Sequence, residues 1–204
     1  TQALCADAVE AIAASMGPPG QVATLILPAD VSWSEGGAPA ALPPVPEARA
    51  ADDAVLDAVA RAVGSGEPVA MLLGGRALRE RPLLAAARIA ARCGVKLLAE
   101  VFPTRIERGA GLPHVERIAY LAEFASVQLD GLRHLILVDA KSPVSFFAYP
   151  GKKSDLVPPG CEVHTLAGFD QDAVASLERL AQRLGAAGAE PELQAPRRPG
   201  LPRG

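Results

Sequence analysis

Aromatic side chains are scarce in this sequence. Its 204 residues include one Trp, two Tyr and five Phe. Proteins that hold single-stranded nucleic acid stack bases on aromatic platforms, and this composition supplies none. A basic surface is missing as well. The 20 Lys/Arg and 23 Asp/Glu are mixed along the chain and give a net charge of −3. No stripe exists to follow a phosphate backbone, so no nucleic-acid partner is expected. No apolar run approaches the ~20 residues that cross a bilayer, and no membrane partner is expected. Cysteine is limited to Cys5, Cys93 and Cys161. They are far apart and odd in number, which makes neither a disulfide framework nor a metal spacing. They read as reduced thiols of a cytoplasmic protein, with no base in sequence to activate any of them. His114, His134 and His164 are scattered too. Without a His-x-x-x-His pair or a nucleophile elbow, they read as structural, and neither a metal ligand nor a catalytic residue is assigned.

What is present is apolar and periodic. Half of the residues are hydrophobic, which implies a globular chain with a core. Residues 1–16 read as an alanine-rich helix. Gly17-Pro18-Pro19-Gly20 breaks it, and 22–27 form an apolar β run closed by Pro28-Ala29-Asp30-Val31. Strands buried on both faces read as continuous apolar runs, so 22–27 is expected to pair in a sheet whose other strands lie upstream. Residues 32–49 are a linker rich in Pro and Gly.

From residue 50 the pattern alternates. A helix follows Asp52, with Val55, Leu56, Val59 and Val63 at helical spacing. Residues 69–73 form an apolar strand ending at Gly74-Gly75. A helix spans 79–93 with Pro82 in its first turn, where proline is tolerated. Strand 95–102, a loop at 104–113, helix 115–129 and strand 134–140 follow. Residues 146–149 suggest a short strand. A late strand covers 161–166, and Asp170 is expected to cap a last helix. After Ala186 the chain is proline-rich, lacks apolar anchors and is expected to be disordered. Strands alternating with helices predict an α/β domain over 50–186: a doubly wound, mostly parallel Rossmann-like sheet with helices on both faces.

Ligands of such sheets bind beyond the carboxyl ends of the strands. Gly74, Gly75 and Arg76 occupy one such end. Glycines there let a backbone approach a phosphate at a helix start; equally, they serve a tight strand-to-helix turn. The segment is neither G-x-G-x-x-G nor a P-loop. Arg105 and Arg108 flank Glu107 in a loop that reads as solvated. Asp139, at a third strand end, suits either a ribose hydroxyl or a turn cap. Phe146, Phe147 and Tyr149 read as packing residues, in the core or against a neighbouring domain.

One segment carries a family likeness. Pro18-Pro19-Gly20-Gln21-Val22, followed by Leu25-Ile26-Leu27-Pro28-Ala29-Asp30-Val31, resembles the end of the first domain in thiamine-diphosphate-dependent enzymes of the acetolactate synthase large subunit type. The resemblance implies the tail of a pyrimidine-binding domain at 1–31, a linker at 32–49, a central nucleotide-binding-like domain at 50–186 and a second linker at 187–204. It implies a parent that decarboxylates a 2-keto acid, with or without carboligation. Its other domains would carry thiamine diphosphate and Mg, and the parent would be a homo-oligomer. Family members lay FAD or ADP across the central domain, or leave it empty. Here Gly74-Gly75 matches the family's glycine turn, and Gly74, Gly75, Arg76 and Asp139 are the expected cofactor-binding residues. Asp139-Ala140-Lys141-Ser142-Pro143 departs from the Asp-Asp-Arg run of FAD binders, which argues against FAD. No Gly-Asp-Gly motif for the diphosphate and its metal occurs. The alternative reading is a stand-alone nucleotide-binding α/β module.

Overall fold

The computed structural model describes residues 3–148, 150–151, 153–198 and 200. Thr1, Tyr149 and the prolines at 199 and 202, which figure in the expected helix, short strand and tail, lie outside that set. The chain divides into two units: Thr1–Arg49 with Phe169–Gln171, and Ala50–Gly168 with Asp172–Gly204.

In the first unit, helix α1 spans Leu4–Met16 and helix α2 spans Ala29–Trp33. The strand expected at 22–27 is not formed. A strand needs a partner for its backbone groups, and no described strand pairs with these residues. Val22 and Ile26 are 94% and 82% exposed. Residues 29–33, across the close of the expected β run and the start of the expected linker at 32, form a short helix.

The second unit is built on five strands: β1 Val69–Leu73, β2 Lys96–Ala99, β3 Glu116–Arg117, β4 His134–Val138 and β5 Glu162–Ala167. Their order is β3-β2-β1-β4-β5, and every pairing is parallel. β1 and β4 are buried along their whole length. Alternation sends their side chains to opposite layers. Val69, Met71, Leu73, Ile136 and Val138 enter one core, together with helices α3 (Asp53–Val63), α4 (Glu80–Cys93) and α6 (Ala173–Arg183). Ala70, Leu72, Leu135 and Leu137 enter the other, against Ala125 and Leu129 of helix α5 (Ala122–Leu129). The sheet is thus wrapped on both faces, as the alternating sequence predicts. Among the described residues no helix is long and apolar enough to cross a membrane.

Local departures have local causes. The helix expected at 115–129 is replaced by β3 and the shorter α5. Glu116 and Arg117 pair with Leu98 and Ala99. The Gln128 side chain accepts from the Ala119 N–H at 2.7 Å and donates to the Arg117 carbonyl at 3.1 Å, which serves backbone groups a helix would have paired. The cap of α6 is Asp172, not Asp170: its carboxylate accepts from the Val174 and Ala175 N–H groups at 2.9 and 3.0 Å. Residues 146–148 form a bend and not a strand. The tail is anchored at Gln194, where disorder was expected. Gln194 exchanges backbone hydrogen bonds with Gly111 and Leu112, at 2.9 Å each. Cys5, Cys93 and Cys161 are free and part-buried.

Ile136 is fully buried in the middle of the central strand pair. Ile136→Ala is expected to cost about 2–5 kcal/mol in urea denaturation. Ile26→Ser, at an exposed and unpaired position, should change stability by less than about 0.5 kcal/mol.

Candidate functional site

The chain runs from β1 to one side of the sheet and later returns to β4 on the other. This switch point opens a crevice beyond the carboxyl ends of β1 and β4. Backbone bonds stitch the ends together: Gly74 N–H donates to the Val138 carbonyl and Glu100 N–H to the Leu73 carbonyl, each at 3.0 Å. Two glycines are required by what lies behind them. A Cβ on Gly74 would stand 2.3 Å from the Asp139 carbonyl oxygen and 2.9 Å from Glu100 Oε1. Gly75 has φ +40°, and its Cβ would meet Asp139 Oδ2 at 2.6 Å.

The structure brings Gly74, Gly75, Arg76 and Asp139 together, but against one another. Gly75 N–H donates to Glu100 Oε1 at 3.1 Å. Arg76 N–H donates to Asp139 Oδ2 at 2.7 Å, and Arg76 Nε lies 3.6 Å from the same oxygen. The donors a phosphate would use are thus bonded to the protein's own carboxylates. The turn continues as a 3₁₀ segment, Gly75–Leu78, and α4 starts only at Glu80. That helix start is also served from within, by Glu107 Oε2 at 2.6 Å from the Glu80 N–H. Asp139 itself is buried and holds a left-handed backbone, φ 50°, a conformation Asp tolerates better than most residues. Its N–H donates to the Ala167 carbonyl of β5 at 2.8 Å.

Glu100 escaped the sequence reading, although it shares the signal that marked Asp139: an acidic residue ending an apolar strand. Burial raises its pKa above the ordinary value; the Gly75 N–H opposes this and the neighbouring Asp139 charge adds to it.

Next to these carboxylates is a hollow of about 240 Å³ lined by Leu72, Glu100, Phe102, Tyr120, Lys141 and Phe146. Among the described residues, four aromatic side chains gather at this rim. Phe102 meets Tyr120 and Phe146 at centroid distances of 5.7 and 5.4 Å, and Phe147 meets Phe146 at 4.9 Å. Phe102 and Phe146 remain 60% and 59% exposed, so they are not core residues. Cofactor pockets usually hold ~300–1,000 Å³, and this one falls below that. FAD and thiamine diphosphate both carry a diphosphate. The turn N–H groups of Gly75 and Arg76, already bonded to Glu100 and Asp139, are not free to hold one.

No family model matches the chain. Over 174 residues it is 58% identical to IlvX of Mycobacterium tuberculosis (strain ATCC 25618 / H37Rv), which is named, provisionally, as an acetolactate synthase large subunit. The chain is acetolactate synthase large subunit-like. The match covers 84% of this chain and 33% of IlvX, so the chain spans about a third of that relative. Two solved structures share its fold. The Rhodococcus jostii RHA1 thiamine diphosphate-dependent 4-hydroxybenzoylformate decarboxylase gives a TM-score of 0.69 at 17% identity, covering 100% of this chain and 41% of that one. A Mycobacterium smegmatis protein, provisionally described as a thiamin diphosphate-dependent enzyme, gives 0.66 at 20% identity, covering 98% and 40%. The chain thus shares the fold of a part of each of these two proteins.

Asp139 and Glu100 make separable predictions for this crevice. Asp139→Ala leaves the Arg76 N–H without its acceptor and should cost about 1–3 kcal/mol. Asp139→Asn keeps an acceptor and tolerates positive φ, and should cost clearly less. Because the folded pKa of Glu100 is raised, its stabilising contribution is present below its unfolded pKa and is lost as pH rises through the folded one. Glu100→Gln cannot ionise. Its melting temperature relative to the native chain should therefore climb between pH 4 and pH 7. A difference that is flat over that range contradicts the assignment.

Proposed function

We propose that this acetolactate synthase-like chain supplies the central, architectural domain of a thiamine-diphosphate-dependent enzyme. Residues 50–186 form that domain, 1–31 the end of a pyrimidine-binding domain, and 32–49 and 187–204 the linkers. The observation that carries the reading is 58% identity over a segment equal to 33% of IlvX. The whole enzyme would decarboxylate a 2-keto acid in the cytoplasm, as a lyase releasing an aldehyde or as a transferase passing the carbanion to an acceptor. Thiamine diphosphate and Mg²⁺ would be held by domains outside this segment, in a homo-oligomer.

Gly74, Gly75, Arg76 and Asp139 are, on this reading, the remnant of a nucleotide cradle whose phosphate seat is taken by Glu100 and Asp139. The support is the pair of carboxylate bonds to the Gly75 and Arg76 N–H groups. The domain then serves to space and orient its neighbours.

Calorimetry and a keto-acid assay test the proposal on the 204-residue chain. ADP and FAD should give no saturable heat. Pyruvate and benzoylformate should not be consumed in the presence of thiamine diphosphate and Mg²⁺. One-to-one nucleotide binding would favour a stand-alone nucleotide-binding module, and turnover would overturn the architectural reading outright.

A further inference from the structure

The amino-terminal end of the sheet, opposite the crevice, holds a different constellation. β4 and β5 begin side by side, with His134 in register with Glu162 and Ile136 with His164. Alternation places His134, Glu162 and His164 on the layer of Ile136 and Leu166. His134 to Val138 spans four strand steps, so this group lies about 13 Å from the crevice.

Three ligand-type atoms converge there. His134 Nδ1 lies 3.1 Å from His164 Nε2. Glu162 Oε2 lies 3.8 Å from each of those nitrogens. With metal–ligand bonds near 2.1 Å, ligand atoms stand ~3.4 Å apart in a tetrahedron and ~3.0 Å apart in an octahedron. The edges of the triangle, 3.1 to 3.8 Å, bracket the tetrahedral spacing, and the shortest lies close to the octahedral one. Two imidazoles and a carboxylate are a donor set suited to borderline divalent cations.

A fourth residue prepares the set. Glu67 Oε2 is 3.0 Å from His134 Nε2, and its other oxygen is 3.6 Å from Arg133 Nε. A carboxylate there accepts from Nε2–H and so turns the bare Nδ1 lone pair toward the triangle. Metal-bound histidines are commonly oriented in this way. Without a metal, His164 Nε2–H donates to that lone pair. Metal bound to both atoms moves this proton to His164 Nδ1, with no net proton lost. The imidazoles are largely enclosed, with side chains 11% and 20% exposed, whereas Glu162 stands at the rim at 72%. The rim gives the ion an entry path and leaves water a place to complete the shell.

We propose that His134, His164 and Glu162 form a binding site for a zinc-type divalent cation, with Glu67 as a positioning residue. Bound metal would clamp the amino-terminal ends of β4 and β5.

The test is Zn²⁺ calorimetry on the full 204-residue chain under reducing conditions, with Co²⁺ absorption as a second readout. One ion per chain is expected. Glu162→Gln, at an exposed position that leaves packing intact, should weaken binding about tenfold, and His164→Ala more. Glu67→Ala should weaken it about tenfold. Glu67→Gln, which still accepts from Nε2–H, should restore most of the loss. His114→Ala should bind as the native chain does, and the Co²⁺ complex should lack a thiolate charge-transfer band. Absence of one-to-one binding overturns the site. So does an affinity that Glu162→Gln and His164→Ala leave unchanged, or a thiolate band pointing to cysteine ligation.

Discussion

The carboxylate of Asp139 fixes how the strands end. It sits at a left-handed residue after β4, accepts from the Arg76 N–H after β1, and shares its backbone with the bond to Ala167 of β5. Glu100 repeats the arrangement from β2, accepting from Gly75. Four neighbouring strands are thereby closed by two carboxylates and two glycines. The glycines are glycine because these carboxylates and the Asp139 carbonyl fill the space a Cβ would need. A buried acceptor of this kind is costly to remove, since its donors lose their partners while still shielded from water.

That closure bears on function. The switch point of a doubly wound sheet is where such folds usually place a nucleotide. Here the N–H groups of the turn are engaged by two carboxylates, with Arg76 and Lys141 beside them. The small hollow beside them has aromatic walls. A turn closed in this way offers a diphosphate few free donors.

Much of the architecture was legible in the residues. Val69–Leu73 and His134–Val138 are apolar on both faces, and a strand buried in a parallel sheet must be. The helices α3, α4 and α6 carried 3.6-residue stripes. Other elements were hidden for physical reasons. Residues 22–27 are as apolar as a strand, but pairing depends on a partner that local pattern does not encode. β3 is two residues long, too short for any period to register. It pairs with β2, and its Arg117 carbonyl accepts from the Gln128 side chain. Within the crevice, Gly74, Gly75, Arg76 and Asp139 were found as a group because each marks a strand end. That Asp139 and Glu100 would bond the turn's own N–H groups depended on strand order. The pairing of His134 with His164 likewise needs the parallel register of β4 on β5, thirty residues apart in sequence.

The central claim is that the glycine turn is filled by the protein's own anions. Amide resonances of Gly75 and Arg76 in a ¹H–¹⁵N spectrum, followed through an ADP titration, test it most directly. The account predicts two slowly exchanging amides whose shifts do not move with ADP. Rapid exchange at both positions, or saturable displacement of both resonances by ADP, would contradict it.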